Sequence, residues 1–161
     1  MNVLPQILSN AAKSLSGLLA ACIFTACGAG AGEYYGQFKD IPAEGWDYND
    51  RMVFIPELED SAATASVALV FRHTNGYLYS NIYVEVCVKD SLSESRDTFN
   101  VILADKFGRW LGHGIGTNYQ RSDTVYPAIT LHRPAMITLR HIMRQDKLPD
   151  IEQVGITINK L

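Results

Sequence analysis

Two cysteines close to the N-terminus, Cys22 and Cys27, are the residues whose type and spacing bear most directly on chemistry. Such a pair could form a disulfide, bind a metal ion or receive a covalent lipid. A structural zinc site needs about four ligands, and this CxxxxC spacing has no histidine nearby. A disulfide requires both cysteines in a folded, exported domain, whereas the residues around them have the composition of a signal segment. The pattern therefore disfavours a disulfide and a metal site.

The residues that precede Cys27 have the features of an export signal. Lys13 is followed by thirteen uncharged residues, 14–26, with small side chains just before the cysteine. A transmembrane helix needs about 20 apolar residues, and this run is shorter. A positive residue, a short apolar core and small residues before a cleavage site are typical of a secretory signal. An uncleaved signal anchor is the alternative interpretation.

The same stretch resembles a bacterial lipoprotein signal, in which a peptidase cuts just before a cysteine that carries diacylglycerol. Two windows compete, LAAC ending at Cys22 and FTAC ending at Cys27. Cleavage at Cys27 uses the whole apolar run and leaves a GAGAG tether. We therefore expect the diacylglycerol and palmitoyl anchor on Cys27, with Cys22 as the alternative, and no other cofactor. The predicted organisation is a lipoprotein signal peptide at 1–26, a flexible tether at 27–33 and a β-sandwich domain at 34–161.

Length and charge limit the classes of protein to which the chain can belong. A chain of 161 residues has the length of a single domain, and such a domain buries roughly two thirds of its unfolded surface. Its hydrophobic content of 47% and charged content of 19% are ordinary for a globular protein. The net charge is -3 and there is no basic run, which argues against nucleic acid as the main partner.

Downstream of residue 60, apolar residues recur at every second position, which is typical of half-buried β-strands. In the strand candidate at 81–90, Cys87 lies on the face opposite the valines, and we expect it to have a packing role. Turn signals such as Asn75-Gly76 separate the candidates. About seven or eight short strands predict an all-β, jelly-roll-like sandwich of two antiparallel sheets. The predicted apolar faces are Ala65/Val67/Leu69/Phe71, Ile82/Val84/Val86/Val88, Phe99/Val101/Leu103, Val125/Ile129/Leu131 and Val154/Ile156/Ile158.

The sequence lacks the common signatures of catalytic and metal sites, with no GxSxG, P-loop, HExxH or CxxC motif. The WLGHGIG segment at 110–116 lacks the Lys-Ser/Thr of a phosphate loop. We expect its glycines to let a strand bend or another backbone approach closely. His132 and His141 could meet across a hairpin, but no carboxylate is placed to complete a metal site with them. The interpretation is a protein that is not an enzyme and has no metal site.

Aromatic residues are the only enrichment that points to a binding surface. They cluster in the aromatic-rich segment at 34–48 and around the turn at 77–83. On a sandwich, exposed aromatic rings can stack on sugars or anchor a protein interface. The alternative is that the rings pack the N-terminal arm against the sheets. The candidate binding surface comprises Trp46, Tyr48, Tyr77, Tyr79 and Trp110.

Three motifs follow one another across the exported part of the chain. The first is a turn with Asn75, Tyr79, Ser80 and Asn81 that leads into a valine-rich strand. The second is A-D-x-x-G-x-W-L-G-x-G-x-G and the third is M-R-x-x-x-L-P-x-I-x-x-V-G-I, at 104–116 and 143–156. In their order and spacing, together with the arm YYGQFKDIPAEGWDYND, these motifs resemble the gliding-motility lipoprotein family GldH.

The resemblance implies a role rather than a reaction. Members of this family are envelope lipoproteins needed for surface gliding in some bacteria, in a system linked to secretion of adhesins. The resemblance therefore implies that the chain is a non-catalytic accessory protein and that its partners are envelope proteins of a gliding or secretion assembly. No acidic residue directly follows Cys27, so we expect an outer-membrane anchor with the domain facing the periplasm. The alternative function is a lipid-anchored module that binds glycan or peptidoglycan.

Overall fold

The computed structural model describes residues 33–161. Both candidate lipidation sites, Cys22 and Cys27, lie outside the described residues, as do the predicted signal peptide and nearly all of the predicted tether. Within 33–161 the regular structure consists of β-strands alone. No helix in this part of the chain is long and apolar enough to cross a bilayer.

Eleven strands follow one another in the described residues, and four of them have only two or three residues. In chain order they are β1 (Glu33–Asp40), β2 (Trp46–Asp47), β3 (Met52–Phe54), β4 (Ala62–Thr74), β5 (Asn81–Lys89), β6 (Glu94–Ile102), β7 (His113–Ile115), β8 (Asn118–His132), β9 (Met136–His141), β10 (Lys147–Leu148) and β11 (Ile151–Lys160).

Nine of the strands form two antiparallel sheets with the strand order of a jelly roll. The first sheet has the order β1-β11-β4-β8-β7, and the second has the order β3-β9-β5-β6. Apart from the β5–β6 and β7–β8 hairpins, consecutive strands of these two sheets alternate between them, and the first and last strands are neighbours. A small ladder between β2 and β10 joins two of the connections. The predicted all-β sandwich is confirmed.

The alternating apolar residues form the core between the two sheets. In β4, β5 and β11 every residue of the predicted faces is buried, because the side chains of a strand point to opposite sides in turn. The predicted apolar face of β8 is less completely buried, because Val125 and Ile129 are only half-buried. There the pairing with β4 shifts register on either side of Val67, and Pro127, which cannot donate to a ladder, lies in the irregular stretch.

Cys87 lies on the outer face of the second sheet, as the alternation predicts, and yet it is buried. Its Sγ donates to the Glu94 carboxylate at 3.8 Å, and Arg96 lies opposite it on β6. Burial raises the pKa of the Cys87 thiol. Because the thiolate is the reactive form, this environment favours an inert packing role.

Candidate functional site

The jelly-roll topology brings four connections to one end of the sandwich, which we call the loop end. The Tyr48 amide donates to the Asp146 carbonyl at 2.7 Å, and the Asn75 amide donates to the Thr117 carbonyl at 2.8 Å. These bonds tie separate connections together. The chain enters β1 at the opposite end, because β1 runs towards the loop end. The four connections are 41–51, 75–80, 103–117 and 142–150.

All five residues of the predicted aromatic surface fall in the connections of the loop end, although they come from three different segments. They do not form one exposed platform. Trp46 is 0% exposed and Tyr77 is 4% exposed, so neither presents a face to a ligand. Tyr79 and Trp110 are half-buried against the core, and Tyr48 is 37% exposed. Most of these rings cover the end of the hydrophobic core. This arrangement agrees with the alternative interpretation, in which the rings have a packing role.

His73 lies at the centre of one aromatic cluster at the loop end. The rings of Trp110, Tyr119 and Tyr77 lie 4.5, 5.8 and 5.9 Å from its imidazole, measured between centroids. Its Nδ1 donates to the Thr74 carbonyl at 2.9 Å, while its buried Nε2 has no partner among the described residues. Burial lowers the pKa of His73 below its usual value, because the imidazolium would lose its hydration.

His141 lies in a second cluster with Trp46 and Tyr48, whose rings are 5.3 and 5.7 Å from the imidazole. Burial lowers the pKa of His141 as well. His132 does not meet it, contrary to the hairpin expectation, because the two residues lie at opposite ends of the sandwich. His132 instead pairs with Asp90, with Nδ1 3.1 Å from the carboxylate. Within residues 33–161 no group of three or more metal-ligating side chains is placed to hold a metal ion.

A groove of about 860 Å³ runs across the outer face of the first sheet beside the loop end. Its floor is a row of polar side chains, one from each of the five strands. The row follows the strand register, so that its members are directly paired with one another. Directly paired residues project from the same face of a sheet. In spatial order the row is Asp40, Gln153, Arg72, Gln120 and His113.

Hydrogen bonds hold the first four side chains of this polar row in place. The Arg72 guanidinium donates through Nε to Oε1 of Gln120 at 2.7 Å. Its Nη1 donates to Oε1 of Gln153, which in turn donates through Nε2 to the Asp40 carboxylate. The chain of bonds spans four strands, so the row is fixed before any ligand arrives.

Arg72 is also held from below by an aromatic ring. Its guanidinium carbon lies 4.3 Å from the centroid of the Phe38 ring. That ring lies over Gly155, where an added Cβ would come within 2.7 Å of Phe38 Cδ1, so only glycine leaves room for it. Among the described residues no carboxylate forms an ion pair with Arg72. The groove floor therefore contains a half-buried guanidinium whose partners are neutral amides.

The rim of the groove is acidic and partly apolar. Asp150 accepts a hydrogen bond from the Thr74 hydroxyl at 2.6 Å, and Glu152 accepts one from the Asn118 amide at 3.2 Å. Ile115, from the short edge strand β7, is 92% exposed and lines the same groove. With Asp40 in the floor, three carboxylates face one guanidinium, so the groove has a negative net charge.

The β7 edge of the groove depends on the glycine-rich segment at 110–116. Gly112 has φ +92°, and a Cβ there would lie 2.1 Å from the carbonyl oxygen of Gln120. Only glycine permits this backbone conformation and this close approach. The expectation that these glycines serve chain geometry rather than phosphate binding agrees with the structure.

The family of the chain follows from comparison with known proteins. A family model described as GldH lipoprotein matches residues 33–158, which is well over half of the chain and nearly the whole sandwich. The chain belongs to the GldH lipoprotein family. This GldH-family protein is therefore a lipid-anchored protein of the cell envelope. No curated protein is similar enough to the chain to match it.

Sequence reasoning missed the groove of this GldH-family protein. Its floor residues lie far apart in the chain, at positions from 40 to 153, and only the strand order brings them together. A signal was present in the sequence, because Arg72 and Gln153 take outward positions of strands whose inward positions are apolar. That pattern is also what a solvated strand face looks like, so it could not identify a groove.

Proposed function

We propose that this GldH-family lipoprotein is a non-catalytic accessory component of bacterial gliding motility and of the secretion machinery linked to it. The observation that carries the proposal is the family match over residues 33–158. The surroundings of the buried imidazoles support a non-catalytic role. His73 and His141 face aromatic rings, and a histidine that serves as a general base needs a nucleophile or substrate proton within reach.

We further propose that the lipid is attached at Cys27 and that the domain faces the periplasm from the outer membrane. The anchor is a diacylglycerol and a further acyl chain, and two or more chains on one residue hold a protein stably in a bilayer. Glu33 begins β1 at the end of the sandwich opposite the loop end. A lipid upstream of Glu33 would thus leave the loop end and its groove facing away from the membrane.

Deletion of the gene in its native host tests the accessory role. We expect the deletion strain to lose surface adhesins from its outer membrane, as measured by proteomics of washed cells, and to lose spreading if the host glides. The wild-type gene restores both, whereas a gene whose mature domain cannot be lipidated does not. Unchanged adhesin levels and unchanged spreading in the deletion strain would refute the proposal.

Metabolic labelling with palmitate tests the anchor. We expect Cys27→Ser to abolish incorporation of the label and Cys22→Ser to leave it intact, because only the cysteine at the cleavage site is acylated. The reverse pattern would move the anchor to Cys22. Fractionation of the two membranes and protease access in intact cells test the outer-membrane and periplasmic assignments. Degradation in intact cells would place the domain on the cell surface.

A further inference from the structure

We propose that the groove on the outer face of the first sheet binds a neutral oligosaccharide, a site separate from the aromatic residues that first indicated glycan binding. The groove is defined by the polar row and the acidic rim. Its size lies within the range of about 300–1,000 Å³ that is usual for ligand sites. The proposal does not depend on the role in motility.

The hydrogen-bonding capacity of the polar row suits hydroxyl groups. Arg72 and Gln120 keep N–H donors that no described residue satisfies, and Asp40 keeps a carboxylate oxygen. Each sugar hydroxyl both donates and accepts a hydrogen bond. A ligand with hydroxyls on adjacent carbons can therefore use the alternating donors and acceptors along the row.

Charge selects a neutral ligand over an acidic one. Three carboxylates, on Asp40, Asp150 and Glu152, line the groove together with a single guanidinium, that of Arg72. An anionic polysaccharide would meet like charge along most of this surface, which costs binding energy.

An extended peptide is the main alternative occupant, and the edge of the sheet disfavours it. Peptides commonly add a strand to an exposed sheet edge, where main-chain hydrogen bonds supply affinity. At one edge of the sheet, β1 contributes only its last residue, Asp40, to the groove. The strand at the other edge, β7, is only three residues long and is followed by Gly116 at φ +65°. It therefore offers few backbone groups for strand addition.

The fixed geometry of the row lowers the cost of binding. Arg72 is held by Gln120, Gln153 and Phe38, so little side-chain freedom remains to be lost when a ligand binds. Preorganisation of this kind raises affinity by reducing the entropic cost. Solvated side chains on an ordinary strand face do not share this property.

Titration of the detergent-extracted full-length lipoprotein with defined oligosaccharides tests the proposal. The neutral probes are the tetramers of β-1,4-glucose, α-1,4-glucose, β-1,4-N-acetylglucosamine, β-1,4-mannose and β-1,4-xylose, and tetragalacturonate is the acidic comparison. We expect at least one neutral tetramer to bind with a Kd of roughly 1 mM or below, and tetragalacturonate to bind more weakly.

Three variants locate the binding. We expect Gln120→Ala and Glu152→Ala each to weaken binding by about three- to tenfold, the range for loss of one hydrogen bond. Ser122→Ala is the matched control, since Ser122 lies two residues from Gln120 on the same face but outside the groove. Thermal unfolding shows whether each variant is folded. If Gln120→Ala does not fold, the effect of Glu152→Ala on binding tests the proposal, because Glu152 is exposed.

Three results would overturn the proposal. The first is the absence of binding by every neutral tetramer at 1 mM or below. The second is binding that the groove variants and Ser122→Ala affect equally, which would place the ligand elsewhere. The third is tighter binding of tetragalacturonate, or of an alternating Ser-Val octapeptide, than of any neutral tetramer. That third result would assign the groove to a different class of ligand.

Discussion

The two buried imidazoles predict that the fold loses stability in mild acid, before its carboxylates begin to titrate. Burial lowers the pKa of His73 and of His141 below the ordinary value of about 6.5. The charge of Glu152 raises the pKa of His73, and the charge of Asp47 raises that of His141, but neither reverses the effect of burial. The charge of Arg140 lowers the pKa of His141 further. In mild acid the unfolded chain therefore binds more protons than the folded one, so stability falls as the pH falls.

The size of the effect follows from proton linkage. If both imidazoles stay neutral in the folded state, lowering the pH from 7.5 to 5.5 costs about 1.4 kcal/mol for each, and about 2.7 kcal/mol for both. The loss begins near pH 6.5 and ends at the folded-state pKa. Carboxylates contribute below this window. The amides of Leu92 and Ser93 and the His132 side chain hold the pKa of Asp90 far below its usual range, so its stabilisation is lost only as the pH falls below about 4.

Urea unfolding at a series of pH values between 7.5 and 5.5 measures this loss. We expect His73→Leu and His141→Leu each to remove about half of it, because leucine fills a similar volume and does not titrate. His113→Leu is the control for the same substitution at an exposed position. Differences between each variant and the wild type cancel the contributions of other groups. An equal pH dependence in the wild type and in the double variant would refute the reasoning.

Two further matched pairs test the geometry of the loop end by urea unfolding. Gly112→Ala should lower the free energy of unfolding by about 3 kcal/mol or more, because it combines a positive φ with a clash against the Gln120 carbonyl. Gly108→Ala should lower it by only about 1–2 kcal/mol, because Gly108 has φ +79° but open space around it. Equal losses would contradict the role of the close approach. Trp46→Ala should cost roughly 3–5 kcal/mol as a fully buried ring, and Tyr48→Ala only about 1 kcal/mol. A larger loss for Tyr48→Ala would show that this end of the core is packed differently.

The fold class could be predicted from sequence because alternation is a local property. The alternation of apolar and polar residues within one segment, such as 82–88, indicates which face of that strand is buried. The number of such segments indicates a sandwich. The pairing of the strands is not local. β1 lies beside β11, more than a hundred residues later in the chain, and no periodicity within either strand reports that choice.

The sequence predicts which aromatic residues lie at the loop end better than it predicts how exposed they are. Aromatic residues in the connections were identified, and the topology does gather them at one end. Whether a ring such as Trp46 faces solvent or core depends on what covers it, and here the β2–β10 ladder, in which Trp46 pairs with Leu148, closes over that end of the core. Composition cannot report such a contact between distant segments. Cys27 and the lipid remain a sequence prediction.

The direction of β1 links the anchor to the groove. This strand begins at Glu33, the last residue of the predicted tether and the first described residue, and ends at Asp40 in the groove floor. Eight residues of strand span about 25 Å, so the groove lies that far from the end through which a lipid would be attached. β1 pairs along its length with β11 alone, and β11 supplies Gln153 to the polar row. The strand nearest the proposed membrane anchor is thus also a wall of the proposed ligand site, and the two functions share one edge of the first sheet.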